Sequence, residues 1–345
     1  MIHQFGALPG KQHKERYSQS LNWKDGKFQN LEFTTMDIKA SKIPGLMYRQ
    51  FFVKGGRMPG QSWSIDGWKS ALDVNNSDEV TYVWFGHSTL MMNINGFIVL
   101  IDPMFGDNAA PVSPFPVKRF SESIFNVVHL LPEVDLVLIS HDHYDHLDHG
   151  SIVKLRAKTK QFYVALGVGR HLIKWGVDAN RIKEFDWWQE AQAGTLNITF
   201  TPSRHFSGRG LTDRARSLWG GWVLETGSEK IWFSGDGGYG KHFEEIGRRL
   251  GPFDLGFIEC GQYNEMWHQI HMYPEESVVA ALEAGVKRAM PVHWGSFALA
   301  MHHWKEPVDR FVEEAQKRGL DFMVPRQGDI SQIAGNNNEA WWNQM

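Results

Sequence analysis

The sequence predicts an α/β protein: a four-layered αββα sandwich preceded by an N-terminal extension. Short strand-like runs recur from residue 80 onward in two successive blocks, and each block finishes in segments with helical caps. Two sheets packed face to face with helices outside satisfy that order. The length of 345 residues suits a large layered unit better than a single small core.

Residues 1–78 carry little periodicity, with KDGKFQN, KIPGLMYRQFFVKGGRMPGQSW and DVNNSDE rich in Gly, Pro, Asn and Lys. We read them as an extension wrapped on a main domain at 79–335, anchored by Trp63 and Trp68, with a loose tail at 336–345 pinned by Trp341 and Trp342. VTYVWFG begins the first block. LMMNI and FIVLID flank Asn95-Gly96, the dipeptide of a type I′ hairpin. DLVLIS is a fully apolar strand, and LDHGSIVKLRAKT follows as a helix. FYVAL, LNITFTP, LWGGWVLET, KIWFSGD and DLGFIEC are further strand candidates. YPEESVVAALEAG starts near Pro274 and stops at Gly285, and VDRFVEEAQKRG stops at Gly319, the usual helix asymmetry.

Composition removes several classes. Hydrophobic residues at 42% and charged residues at 22% exclude a disordered or fibrous chain. Lys+Arg 36 against Asp+Glu 39 leaves a charge of −3, without the basic excess of a nucleic-acid binder. No apolar run approaches the roughly 18 residues of a membrane span. The lone Cys260 has no disulfide partner, and the first residues lack a secretory leader, so the expected location is a reducing cytoplasm. Cys260 itself reads as a buried thiol.

One segment concentrates the chemistry: Ser140-His141-Asp142-His143-Tyr144-Asp145-His146-Leu147-Asp148, at the junction of a strand and a helix. His141 and His143 alternate and can point the same way from extended backbone. Asp145 and His146 fall beyond the turn, able to reach a second ion. Imidazole and carboxylate together suit Zn²⁺. Without metal, the same run is a polar helix-entry loop. His205, Asp236 and His293 each sit where an element gives way to a loop, and supply what a binuclear site still needs. The other histidines, including His87, His129, His149, His171, His302 and His303, default to structural or solvated roles.

With these residues in place, the chain resembles the metallo-β-lactamase superfamily, and within it the N-acylphosphatidylethanolamine-hydrolysing phospholipase D family. SHDHYDHLD carries the superfamily likeness. His205-Phe206-Ser207-Gly208-Arg209, Asp213-Arg214, Leu218-Trp219-Gly220, GDGGY, HMYPEES and PVHWGSFAL carry the narrower one, which reaches weakly upstream to Gly26-Lys27-Phe28-Gln29-Asn30. The resemblance implies one zinc on His141, His143 and His205, another on Asp145, His146 and His293, and Asp236 bridging; other divalent ions are compatible. It places Asp102 in the position of a supporting carboxylate behind the ligands. Gly237 stands where Thr is usual, and Tyr273 where Asp or Asn is frequent.

Two such ions about 3.5–4 Å apart clamp the attacking and leaving oxygens of a displacement, and a bound water deprotonates near pH 7. The expected catalytic residues are Asp145, Asp142 and His271: Asp142 orients a ligand or the nucleophile, or else caps the loop, and His271 contacts phosphate or protonates the leaving group. Arg209 and His271 are the expected substrate contacts, with Arg204 and Arg214 nearby. Leu46, Phe51, Phe52 and Trp63 are candidates for an apolar rim, although ordinary packing suits them as well. The leading expectation is a zinc-dependent phosphodiesterase of the phospholipase D type acting on N-acylphosphatidylethanolamine-like lipids. A lactonase or small phosphoester hydrolase, and a metal-binding module without catalysis, are the alternatives. Expected partners are a phospholipid or other ester substrate, transient contact with a membrane surface and a homodimer, without nucleic acid.

Overall fold

The computed structural model describes residues 2–36, 40–53, 55–72, 80–112, 115–335 and 339–345. The stretch DVNNSDE falls wholly outside them. In chain order the helices are α1 (Lys11–Tyr17), α2 (Ile43–Phe52), α3 (Val127–Leu130), α4 (His149–Leu155), α5 (Gly169–Lys174), α6 (His242–Leu250), α7 (Pro274–Glu283) and α8 (Glu306–Arg318). The early strands are β1 (Trp23–Lys24), β2 (Lys27–Phe28), β3 (Thr81–Trp84), β4 (Leu90–Ile94), β5 (Phe97–Ile101), β6 (Val134–Ile139), β7 (Thr159–Ala165) and β8 (Ile182–Phe185). The later ones are β9 (Glu190–Ala193), β10 (Leu196–Thr201), β11 (Gly221–Glu225), β12 (Lys230–Phe233), β13 (Phe253–Glu259), β14 (Val286–Val292), β15 (Asp321–Phe322) and β16 (Ile330–Gln332).

Two seven-stranded sheets form the centre, ordered β16-β3-β4-β5-β6-β7-β8 and β15-β14-β13-β12-β11-β10-β9. Each combines an antiparallel part with a parallel part, the change falling at β5–β6 in the first and at β12–β13 in the second. Parallel pairing needs long crossovers, and the chain uses them to place helices on the outside. The β4–β5 hairpin turns at Asn95 and Gly96, both at positive φ as a type I′ turn requires. Helix α4 is shorter than the segment suggested: Asp148 caps it by accepting the N–H groups of Gly150 (3.2 Å) and Ser151 (2.8 Å). The expected strand at residues 162–166 belongs to β7, in the first sheet. The chain's return to that sheet through β16 has no warning in the sequence, because a three-residue edge strand carries almost no periodicity.

The sheets meet through aromatic contacts, Tyr82 on Phe257 (5.1 Å) and Phe185 on Trp222 (5.3 Å between ring centroids). Buried residues of the extension, including Tyr17, Phe28, Trp63 and Trp68, join the same apolar cluster. Trp63 packs tilted against Trp304 and edge-on against Trp341, and Trp294 contacts both Trp84 and Trp341. Much of the tryptophan excess is therefore packing that seals both chain ends onto the sandwich. Trp63, a candidate for an apolar rim, is 4% exposed and belongs to this core, whereas Phe52 is 64% exposed. The side chains of Leu46 and Phe51 lie outside the described residues. No helix among the described residues is long and apolar enough to cross a membrane.

Candidate metal centre

The predicted ligands converge at one end of the sandwich, on loops that follow β6, β10, β12 and β14. His141, His143 and His205 have ligand atoms within 4.8 Å of one another. His141 Nε2 lies 2.9 Å, and His205 Nε2 3.1 Å, from His143 Nδ1. A second group unites Asp145, His146 and His293 with His87. Asp236 lies between the groups: Oδ2 is 3.0 Å from His146 Nε2, 3.8 Å from His141 Nε2 and 3.9 Å from His205 Nε2, and Oδ1 is 3.1 Å from His293 Nδ1.

Hydrogen bonds behind the cluster determine which nitrogen faces it. Asp102, at a φ of 42°, turns its carboxylate back to accept Ser140 N–H (2.7 Å), Ser140 Oγ–H (2.5 Å) and His146 Nδ1–H (2.7 Å). Since Ser140 Oγ donates to Asp102, it accepts from His141 Nδ1 at 2.9 Å. His205 Nδ1–H donates to the Ile270 carbonyl at 2.9 Å. Each of these three imidazoles thereby turns its Nε2, the atom a metal would take, toward the cluster. Asn30 holds the His205 peptide from both sides, donating to its carbonyl (2.8 Å) and accepting its N–H (3.0 Å).

Burial, reinforced by neighbouring imidazoles, pushes the pKa values of His141, His205 and His293 well below the ordinary range; that of His143 falls to about 4. These rings are neutral at pH 7, the ligating form. Burial opposes the charged form of His146 too, but Asp236, Asp145 and Asp102 outweigh it and raise its pKa. Burial likewise lifts Asp236 to about 6. The buried Nε2 atoms of His146 and His293 have no hydrogen-bond partner among the described residues. Neutral imidazoles, two carboxylates and unpaired buried nitrogens fit divalent cations, which would take up these donor atoms.

Residues 98–294 match the family described as the beta-lactamase superfamily domain. The chain belongs to that superfamily. An uncharacterized Mycobacterium tuberculosis protein is 37% identical over 330 residues, covering 94% of this chain and 88% of its own. An N-acyl-phosphatidylethanolamine-hydrolyzing phospholipase D of Caenorhabditis elegans is 29% identical over 278 residues, 76% of this chain and 78% of that one. The solved structure of Igni18, a metallo hydrolase from Ignicoccus hospitalis, superposes with a TM-score of 0.55 at 19% identity, covering 73% of this chain and 97% of that one, a likeness of fold. The protein is accordingly a metal-dependent hydrolase of the superfamily, with a His/Asp cluster at its metal-binding end.

Several other expected residues lie elsewhere than proposed. Asp142 turns away from the cluster: Oδ1 accepts Gly208 N–H (2.7 Å), and Oδ2 accepts Ser217 Oγ–H and lies 3.3 Å from His171 Nε2. Ala7 N–H donates to His171 Nδ1 (3.0 Å), so the proton of that ring sits on Nε2 and points at Asp142. Asp142 is therefore a tie between loops; its carboxylate is spent before it could orient a nucleophile. Arg209 is buried, donating to the carbonyls of Gln4, Asp142 and Leu147 and stacking on Tyr144. It does not line the cleft, which corrects its reading as a substrate contact. Arg204 is engaged with Thr34 Oγ1 and the carbonyls of Phe33 and Tyr239. Arg214 lies over the Phe206 ring at 3.9 Å beside a side pocket.

His271 does line the cleft, its ring parallel to His293 at 5.2 Å. Sequence reasoning missed His87, whose Nε2 is 2.8 Å from Asp145 Oδ2 and whose ring lies 4.1 Å from that of His293. Its place just after a strand, like those of His205 and His293, was the available signal. Gly237, a departure from the family pattern, has a local reason: a Cβ there would meet Arg204 N at 3.1 Å.

Proposed function

We propose that the protein is a phosphodiesterase of the phospholipase D type, acting on N-acylphosphatidylethanolamine-like lipids with two divalent ions, preferably Zn²⁺. One observation carries the reading: four members of the His/Asp cluster, His143, Asp145, Asp236 and His293, line a cleft with apolar walls in a chain similar along three quarters of its length to a phospholipase of that class. Bound ions would supply Lewis acidity toward phosphoryl oxygens and a nucleophile at neutral pH. His141, His143 and His205 would hold one, Asp145, His146 and His293 the other, with Asp236 between. Met36, Phe206, Trp267, Ile270 and Leu299 line the walls, exclude water and accept acyl methylenes. His271 faces the same space and is available to the phosphate or the leaving oxygen. Phe33, Tyr48 and Phe52, all exposed, belong to the segment that reaches the cleft through Met36, and suit transient contact with a lipid surface.

The test is release of N-acylethanolamine from the N-acylated lipid in mixed micelles by the metal-loaded protein. Turnover abolished by chelator and restored by Zn²⁺ supports the reading; hydrolysis confined to small esters overturns the lipid substrate. A specific observation favours that second outcome. The cleft encloses about 240 Å³, below the roughly 300–1,000 Å³ of pockets that engulf drug-sized ligands, and so suits a small phosphoester or lactone.

A further inference from the structure

Glu259 ends β13 fully buried, with no lysine or arginine within ion-pair distance among the described residues. A carboxylate in such a place is costly unless donors satisfy it. His271 Nδ1 lies 2.6 Å from Oε1, Gly237 N–H donates to Oε2 at 3.2 Å, and the Met272 backbone N–H also bonds the carboxylate. The backbone of Glu259 is itself tied down, its N–H to Ser234 Oγ (3.0 Å) and its carbonyl to Ser277 Oγ–H (2.6 Å). His271 is 13% exposed at the cleft, between the rings of His205 (5.0 Å) and His293 (5.2 Å). Its Nε2 bonds no described residue.

We propose that Glu259 is a positioning residue: it holds His271 as the Nδ1–H tautomer, with a bare Nε2 that takes up a proton before it serves the phosphate or the leaving oxygen. The inference rests on the hydrolase reading above. Burial pushes the Glu259 carboxyl well above the usual carboxylate range, and the donors around it act against that; in its ionised form it only accepts, so His271 donates from Nδ1 and Nε2 becomes the ring's single free position. The same carboxylate holds Gly237, the residue after Asp236. It thus spaces His271 relative to the carboxylate between the two ligand groups. A hydrophobic residue would fill the space as well but leave the imidazole free to rotate and to exchange tautomers.

The experiment compares wild type, Glu259→Gln and Glu259→Met, each loaded with Zn²⁺. Long-range ¹H–¹⁵N spectra of labelled histidine report the tautomer, with His271→Gln assigning the signal, and elemental analysis reports metal content. Turnover of bis(p-nitrophenyl) phosphate separates kcat from KM. The expected result is an Nδ1-protonated His271 in wild type and mixed tautomers in Glu259→Met, with metal content unchanged. kcat should fall by about 10- to 100-fold with KM moved less than about threefold. Glu259→Gln keeps a carbonyl acceptor, so it should retain the tautomer and recover part of the rate, and it remains informative if the Met variant does not fold. A proton on Nε2 in wild type, or an unchanged tautomer in Glu259→Met, overturns the proposal. So does loss of zinc from either variant, which would make Glu259 a ligand instead, since its carboxylate, His271 and His293 also lie within 4.8 Å of one another. A protein that hydrolyses no phosphodiester defeats the functional reading, while the spectra still decide the role of Glu259.

Discussion

Replacing Asp102 by Asn tests how far the metal cluster depends on a residue that need not touch metal. Three donors end on this fully buried carboxylate: Ser140 N–H, Ser140 Oγ–H and His146 Nδ1–H. The amide retains one carbonyl for Ser140 N–H but turns an NH₂ toward the other two. Bonds to a charged group contribute about 1.5–3 kcal/mol each, so two give an upper bound of about 3–6 kcal/mol. Ser140 Oγ can rotate and accept from the new amide, which lowers the expected loss to about 2–4 kcal/mol. His146 meanwhile loses the bond that directs its Nε2 inward, so affinity for the ion it would hold should fall about 10- to 100-fold. Urea unfolding of the chelated protein measures the first quantity without linkage from bound metal. Equilibrium dialysis of Zn²⁺ measures the second. A variant with wild-type midpoint and wild-type affinity would refute the assignment of tautomer and orientation to Asp102.

Other perturbations separate ligand, support and scaffold. Asp145→Ala with His146→Ala should leave a folded protein that binds about one equivalent fewer of Zn²⁺ and hydrolyses nothing; retained turnover would exclude a two-ion mechanism. Asn30→Ala removes the clamp on the His205 peptide and should weaken ion binding about tenfold while the unfolding midpoint shifts modestly, both read by the same dialysis and urea curves. His242 gives a pH prediction away from the cluster. Burial, then the charge of Arg204, lowers its pKa from 6.5 to about 3. Below pH 6.5 the unfolded chain binds a proton that the folded one excludes, so stability falls with falling pH at about 1.4 kcal/mol per unit until pH 3 is approached. Between pH 6 and 4.5 the wild type should therefore lose about 2 kcal/mol more than His242→Gln, measured as a difference in slopes. Parallel slopes would show that His242 takes up its proton in the folded state.

Much of the architecture was legible because buried parallel strands read as short apolar runs between turn residues. β6, β12 and β13 stood out this way, and Asn95-Gly96 gave the hairpin register. The edges were not: β15 and β16 are two and three residues long, too short for a period to declare itself. In the site, the run from His141 to His146 was readable because its four ligands share one loop. His87 was not, because an isolated histidine after a strand looks the same whether solvated or buried against Asp145. Arg209 misled for the converse reason. Its neighbours in sequence belong to the site, yet its guanidinium is drawn inward by unpaired carbonyls of Gln4, Asp142 and Leu147.

The amino-acid order by itself determined the inventory: which residue types stand at strand ends, in what spacing, and that they can bind a divalent ion. Only the tertiary structure decided direction. Asp142 sits between two of the clustered histidines in sequence and faces away, while Asp102, 44 residues before His146, supports it. The reason is physical. Where a buried polar side chain points depends on the donor or acceptor that relieves its desolvation, and for Asp102, Asp142, Glu259 and Asn30 those partners come from other elements of the fold.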